Sequence, residues 1–536
     1  MNLLEDKWIK GVTADGSVAL ISPLDVSDQR WVDIYAERPD FRGGIYQFLI
    51  GALQLACAPE DTEEWRDRLN EPPEGDDLKA AFSPYQHAFL LESEAGKPAF
   101  MQDLDLPDDA NRLSVRELLI DAGSDSNLYF NKPVDDFCLC ERCAAQALFT
   151  LQINAPSGGR GVRTSLRGGG PLTTLLAPAE RQKPASLWQK LWLNVLPTEV
   201  LGYEPVKGVS AVLPWLTKTR TSDGTQGVET TPESVHPLQA YWSMPRRIRL
   251  VVEDKGTKGC CSLCGATAVR VFHQYQTRHG GTNYTGAWLH PLTPYKFDPK
   301  GEEVPISCKG REAGKGYREW VGLVLGNEDQ QPDAAQVVKH FNRIPRRPEV
   351  RLWCFGYAMD NMKAQCWYES WLPVTNVDAS LRARFVQHVK IILDSAEAMA
   401  SLLNRYVRTA WFKRPADAGQ EPAVPQSFWQ RSEEVFYRSV FELSRAQDLE
   451  RVAAYRPVYE QWLKDTRNMV LRLFDEWVLN VPVEDMDLRR VVKARADLLQ
   501  KLWSDKDMKA VVDVVSGGEK KAGRATKGAK KQEADA

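Results

Sequence analysis

The chain has 536 residues, enough for three to four domains at ~150 residues each or for one large body with appendages. Hydrophobic residues at 43% and charged residues at 26% exclude a fibrous, collagenous or wholly disordered chain. With 69 Lys plus Arg against 72 Asp plus Glu the formal net charge is -3, which excludes a polycation that coats nucleic acid indiscriminately, so any nucleic-acid contact has to be local.

In chain order, Met1 to Ile9 lacks a basic region followed by a long apolar run, and no apolar stretch reaches the ~18 residues of a spanning helix. The expectation is a protein that is neither exported nor membrane-embedded. Trp8–Val12 and Val18–Ile21 are β-prone runs joined across Asp15-Gly16, a hairpin signal. Gly44–Cys57 is apolar on most faces, as in a helix buried inside a domain. Residues 58–77 carry nine acids against Arg66 and Arg68 and would repel a phosphate backbone. Residues 155–170 are the opposite: Arg160, Arg163 and Arg167, no acid, and six glycines that let backbone approach a ligand, or else a glycine-rich turn with a solvated basic face. From there to about residue 375, Gly and Pro punctuate short runs, which predicts a mixed, loop-rich body.

The last third changes period. Leu381, Phe385, Val389, Ile392, Ala396, Met399, Leu403 and Tyr406 recur at spacings of three and four, one apolar helix face. A second such segment runs from near Ser427 through Phe436, Val440 and Leu443; a third begins near Pro457, a favourable first helical position; a fourth starts at Asp487 as N-cap. The fold predicted is α+β: a large mixed, loop-rich N-terminal domain over 1–375, a C-terminal four-helix bundle over 376–514, and a disordered basic tail over 515–536, with six basic residues against three acids from Ser516 on.

Six of the ten cysteines cluster in Cys138-Leu-Cys140-Glu-Arg-Cys143 and Cys260-Cys261-Ser-Leu-Cys264. A C-x2-C step lets two thiolates on one knuckle bind a tetrahedral ion, and Cys140, Cys143, Cys261 and Cys264 fill one zinc coordination sphere with no open position, the arrangement of a structural site. With 117 residues between the pairs, the metal would staple two remote segments. Redox or merely buried thiols are the alternative. So few cysteines, clustered in this way, suit a reducing cytoplasmic compartment rather than a disulfide scaffold. None of the seven histidines begins an HxE or HExxH pattern, Gly310–Gly316 (GREAGKG) has the wrong spacing for a phosphate loop, and no GxSxG is present. What remains is a binding or assembly protein, with a zinc-dependent nucleic-acid enzyme of unfamiliar site or a pure scaffold as rivals.

The opening MNLLEDKWI, SNLYFNKP from Ser126, NAPSGGRGVRTSLRGGGPLTT from Asn154, CSLCG from Cys261, TGAWLHPLTPY from Thr285 and GYAMDN from Gly356 stand in an order and spacing that resembles the large subunit of the type I-E CRISPR Cascade complex, the CasA family, through nearly the whole chain. The resemblance implies a non-catalytic subunit in antiviral defence. Such a subunit recognises the PAM, the short motif beside the target, in double-stranded DNA, promotes unwinding and R-loop formation, and recruits a helicase-nuclease. The family's glycine loop resembles Ser157, Gly158, Gly159, Arg160 and Gly161, where Arg160 enters a narrow minor groove or holds a phosphate. Its lysine finger aligns with Arg278 and His279, with no lysine at that spot. Its duplex wedge falls in Asp360–Gln365, with Asn361, Met362 and Lys363 at the tip, or else the segment is a polar hairpin turn. Asn127, Tyr129, Phe130, Asn131 and Lys132 resemble the segment that meets the guide RNA 5′ end and the other Cascade subunits. There Tyr129 and Phe130 stack on a base, fill a partner pocket, or belong to the core.

Overall fold

The computed structural model describes residues 1–94, 96–122, 136–159, 161–179, 183–203, 208–224, 227–252, 258–311, 316–326, 332–345, 347–360, 362–378, 380–417, 419, 421–446, 448–480 and 487–517. They fall into two compact units, Met1–Lys315 with Gly322–Val374, and Gly316–Val321 with the chain from Thr375 on. The expected Asn127–Lys132 contact, Arg160, Asn361 and the tail beyond 517 lie outside the described residues. Among the described residues no helix is long and apolar enough to cross a membrane.

The first unit opens with the expected hairpin, β1 (Ile9–Thr13) and β2 (Val18–Ile21), in register Ile9 to Ile21 and Val12 to Val18. Gly16 takes φ 84°, the left-handed position that lets the turn close. β3 (Trp31–Tyr35) adds to the other edge of β1, a non-local pairing with no sequence signal. α1 (Pro39–Ala56) begins five residues before the predicted start, with proline at its first position. Phe48 on α1 is the hub of the core: Trp8, Phe89, Phe100, Phe149 and Trp242 meet its ring edge-on at 5.4 to 6.0 Å. Edge-to-face contacts are the favoured arrangement of aromatic quadrupoles, so the cluster fixes orientation as well as burying area.

Next come β4 (Asn111–Ser114), β5 (Leu139–Cys140), α2 (Glu141–Asn154) and β6 (Thr173–Pro178), followed by β7 (Arg247–Val252), β8 (Gly259–Cys260), β9 (Thr267–Ala268) and β10 (Val271–Arg278). β10 is the hub of one sheet and pairs antiparallel with β4, β5 and β7. β11 (Val350–Asp360) and β12 (Lys363–Pro373) form a long hairpin whose β11 edge pairs with β6.

Arg167 corrects one sequence expectation. The sequence places it in a solvated or ligand-facing basic run, yet it is 4% exposed and donates to Thr173 Oγ1 (3.0 Å), Thr293 Oγ1 (3.1 Å), Gln47 Oε1 (2.8 Å) and the Ile153 carbonyl (3.3 Å). Burial brings its pKa down to about 10, so it stays charged at neutral pH while tying α1, α2 and β6 together. Four neutral acceptors satisfy a buried guanidinium because its fork spreads the charge over several donors.

The second unit holds α3 (Arg382–Trp411), α4 (Ala423–Arg445), α5 (Val452–Leu479) and α6 (Leu488–Ser504), with α3 packed against the other three. The apolar stripe from Phe385 to Leu403 is buried, and Asp487 caps α6 by accepting from the Arg489 and Arg490 amides. Polar groups lock the packing: Trp462 Nε1 donates to Ser395 Oγ at 2.9 Å, and Arg490 donates to the terminal α3 carbonyls of Ala410 (3.0 Å) and Trp411 (3.2 Å). Pro457 is not at the start of its helix as expected; α5 begins at Val452 and carries the proline inside. Close to the end of a long, packed helix, the loss of one backbone donor is offset by tertiary burial. Residues Gly316–Val321 join this unit through Tyr317, whose ring stacks on Phe436 at 4.3 Å and whose hydroxyl meets Ser432 Oγ at 2.6 Å.

Candidate nucleic-acid interface and metal centre

The glycine loop begins where α2 ends. Its neck is closed by the Ser165 amide donating to the Ala155 carbonyl at 3.0 Å, and Arg167 anchors the chain just beyond. At the tip the Val162 amide donates to the Gly159 carbonyl at 3.2 Å, a turn in which Gly159 (φ 90°) and Gly161 (φ 79°) both sit in the left-handed region that side chains disfavour. A Cβ on Gly159 would meet nothing within 4 Å, so the loop presents bare backbone to open space there. Arg163 faces inward and donates to Ser222 Oγ at 2.7 Å.

The loop after β10 is bound to the glycine loop. The Gly280 amide donates to the Gly161 carbonyl at 2.8 Å, the Ser222 amide donates to the Gly280 carbonyl at 3.0 Å, and Ser222 Oγ donates to the Gly281 carbonyl at 2.6 Å. Ser222 thus links both loops. The third element is the tip of the β11–β12 hairpin, where Asp360 pairs with Lys363 across a two-residue connection and Met362 is 49% exposed. A methionine held half exposed at a hairpin tip has an apolar side chain free to meet another surface.

These three segments, remote in sequence, line one cleft of about 340 Å³: Ser157, Gly158 and Gly161 from the first, Arg278 and His279 from the second, Met362 and Lys363 from the third. Gly159 lies on the same loop without lining the cleft. The sequence did not point to several other lining residues, among them Arg246, Tyr275 and Leu113. Arg246 is the informative omission. Its guanidinium donates to the Pro156 carbonyl, and its backbone exchanges bonds with the Gln152 side chain of α2 (both 3.0 Å). Burial brings its pKa down to about 10, so it remains a cation at the root of the glycine loop. The signal that could have found it is the Arg246-Arg247 pair opening an alternating strand.

The two cysteine knuckles come together as expected. Cys140 ends β5 and stands at the N-cap position of α2, Cys143 lies in the first turn of α2, and Cys261 and Cys264 sit in the turn between β8 and β9. That turn is closed by the Cys261 amide to the Ala266 carbonyl (3.0 Å) and the Gly265 amide to the Cys261 carbonyl (2.9 Å). β5 pairs with β10, which brings the first knuckle beside the second. The four Sγ atoms lie within 4.8 Å of one another, and Cys140 to Cys264 is 3.7 Å. A tetrahedron with Zn–S bonds of about 2.3 Å has S···S edges of about 3.8 Å, so the donor set fits a metal ion such as zinc. Hydrogen bonds with Cys140 and Cys143 hold the Cys261 thiol far below its usual range, while bonds to Cys140 and Cys261 push Cys143 far above it. Four thiols this close cannot all ionise without a cation between them. Cys138 bonds instead to the Cys260 carbonyl, and Cys260 is exposed, so both stand outside the set.

The family model for CRISPR-associated protein Cse1 matches residues 2–473. The fold is similar to Thermobifida fusca Cse1 (TM-score 0.69, 15% identity, covering 96% of this chain and 98% of that one) and to Thermus thermophilus CasA (TM-score 0.65, 16% identity, 96% and 99%). It is also similar to a chain of a CRISPR RNA-guided surveillance complex (TM-score 0.65, 15% identity, 94% and 99%). With a family match over residues 2–473 and a fold shared over 96% of the chain, the chain belongs to the Cse1 family of CRISPR-associated proteins.

Proposed function

We propose that this chain is the non-catalytic large subunit of a type I-E RNA-guided surveillance complex, in which it reads the PAM in double-stranded target DNA and starts strand separation. The observation that carries the reading is the convergence of three remote loops on one cleft: a glycine loop whose tip at Gly159, just outside the cleft, meets open space, a loop carrying Arg278, and a hairpin with a half-exposed apolar tip. Backbone and guanidinium donors suit minor-groove edges and phosphates, and an apolar tip suits unstacking of the adjacent base step. Base pairing with the guide then reads the remaining sequence. In this reading Asn127–Lys132 meets the guide RNA 5′ end and neighbouring subunits, the four helices from α3 to α6 form a bundle, and the four cysteines hold a structural zinc. A helicase-nuclease joins after R-loop formation.

The test is equilibrium binding of the guide-loaded complex, with and without this chain, to target duplexes whose flanking motif is varied at fixed salt. The chain is expected to confer flank-dependent affinity. Gly159→Trp, whose side chain meets no neighbour but strains the loop backbone at φ 90°, is expected to lower affinity for the preferred flank by roughly tenfold or more while assembly, read separately, is unchanged. Affinity that ignores both the flank and the chain would reduce the protein to a scaffold.

A further inference from the structure

Arg247 and Arg278 are cross-strand partners on β7 and β10, and both line the cleft. The segment Asp103–Asp109 (DLDLPDD), which leads into β4, supplies each with an acid. Its ends are pinned: the Asp103 amide donates to the Ile248 carbonyl at 2.9 Å, the Ala110 amide to the Pro107 carbonyl at 3.0 Å, and Asn111 pairs with Thr277. Asp109 is therefore delivered to Arg278 by the register of the sheet.

The two ion pairs differ in what they can do. Arg247 Nε meets Asp103 Oδ2 at 2.5 Å with side chains 10% and 0% exposed, and its Nη2 also donates to the Asp105 carbonyl at 3.2 Å. A buried pair of that kind is structural, because losing either partner strands the other away from water. Arg278 Nη1 meets Asp109 Oδ1 at 2.6 Å with side chains 43% and 77% exposed. That pair is weak, solvent-screened and exchangeable.

We propose that Asp109 is a built-in competitor for the phosphate backbone. Its carboxylate occupies Arg278 in the free protein, as a phosphate oxygen would, and has to be displaced before Arg278 reaches DNA. The device raises the affinity threshold for every duplex, so that those offering only phosphates fall below it while those that also fit the groove do not. The inference rests on the DNA-reading role proposed for this cleft and adds to it a residue that sets the affinity for every duplex.

The test is a salt series of duplex binding by the guide-loaded complex, with matched and mismatched flanks. Asp109→Asn is expected to tighten both by about two- to fivefold, the range of an exposed ion pair. The slope of log K against log salt should stay close to the parent's, because Arg278 meets the same phosphate in both proteins once Asp109 is displaced. Asp109→Glu should behave as the parent, and Asp109→Asn should give no gain in an Arg278→Ala background. Unchanged affinity in Asp109→Asn overturns the proposal, as does a gain that persists without Arg278, the mark of a diffuse field effect. Gly159→Trp in the same titration separates the two readings. If it leaves flank preference intact, the DNA-reading role fails; if it abolishes the preference while Asp109→Asn changes nothing, only the competitor role fails.

Discussion

His340, on the helix Gln336–Arg343, packs its ring edge-on against Trp65 at 5.5 Å, is 5% exposed, and has no partner for Nε2 among the described residues. Burial brings its pKa down to about 4. In the unfolded chain the imidazole takes up its proton near the ordinary ~6.5, whereas the folded chain resists until far lower pH. The stability this residue supports is therefore complete above pH ~6.5 and is lost as pH falls toward about 4, by ~3 kcal/mol in all. His340→Phe keeps a ring against Trp65 and removes the titration. Unfolding free energies measured from pH 7 to 4 should fall less steeply in the variant, and identical slopes would falsify the assignment.

At the scale of elements, the cysteine knuckles join the start of α2 to the β8–β9 turn, segments that the chain separates by more than a hundred residues. If one ion holds them, removing it should lower stability by several kcal/mol, since metal binding is folding free energy for such a site. A strong chelator is expected to lower the melting temperature and to expose the thiols of Cys140, Cys143, Cys261 and Cys264. Cys261→Ser should reproduce the loss and Cys260→Ser should not. Metal content together with thiol counting checks this. The knuckles were legible in the sequence because C-x2-C spacing is a local chemical signal. The stretches of α3 to α6 were legible for a similar reason, since an apolar face at helical period needs no knowledge of its partner, and α1 was legible as a run apolar on most faces. The pairing of β10 with β4, β5 and β7 was not, because register is set by contacts far apart in the chain. Arg167 misled for a related reason. A charged side chain in a glycine-rich run reads as surface until its four acceptors, on segments from Gln47 to Thr293, are seen around it. The cleft itself was legible only as separate loops, through the family resemblance; that Ser222 and Arg246 tie them down is a fact of tertiary structure.

For the whole molecule, the net charge of -3 is the sum of unlike regions. Many acids of residues 58–77 have local work: Asp61 caps the helix Thr62–Asn70 by accepting from the Glu63 and Glu64 amides, and Glu74 with Asp77 forms a capping box at the helix Gly75–Phe82. Glu63, Asp67 and Glu71 are exposed and offer their carboxylates to no cap. Their effect on a polyanion is a long-range repulsion, screened over ~10 Å at 0.1 M salt. On the DNA-reading role proposed for the cleft, that repulsion opposes sequence-independent association and leaves short-range readout untouched. The triple substitution Glu63→Gln, Asp67→Asn, Glu71→Gln removes three negative charges without touching a cap, so its helices should keep their stability within about 0.5 kcal/mol. Non-specific duplex binding by the assembled complex should rise several-fold at 50 mM salt, and the gain should vanish toward 0.5 M, where screening is nearly complete. The ratio of affinities for matched and mismatched flanks should stay constant throughout. A change in that ratio would mean that the acidic stretch acts at the cleft rather than through the field of the molecule.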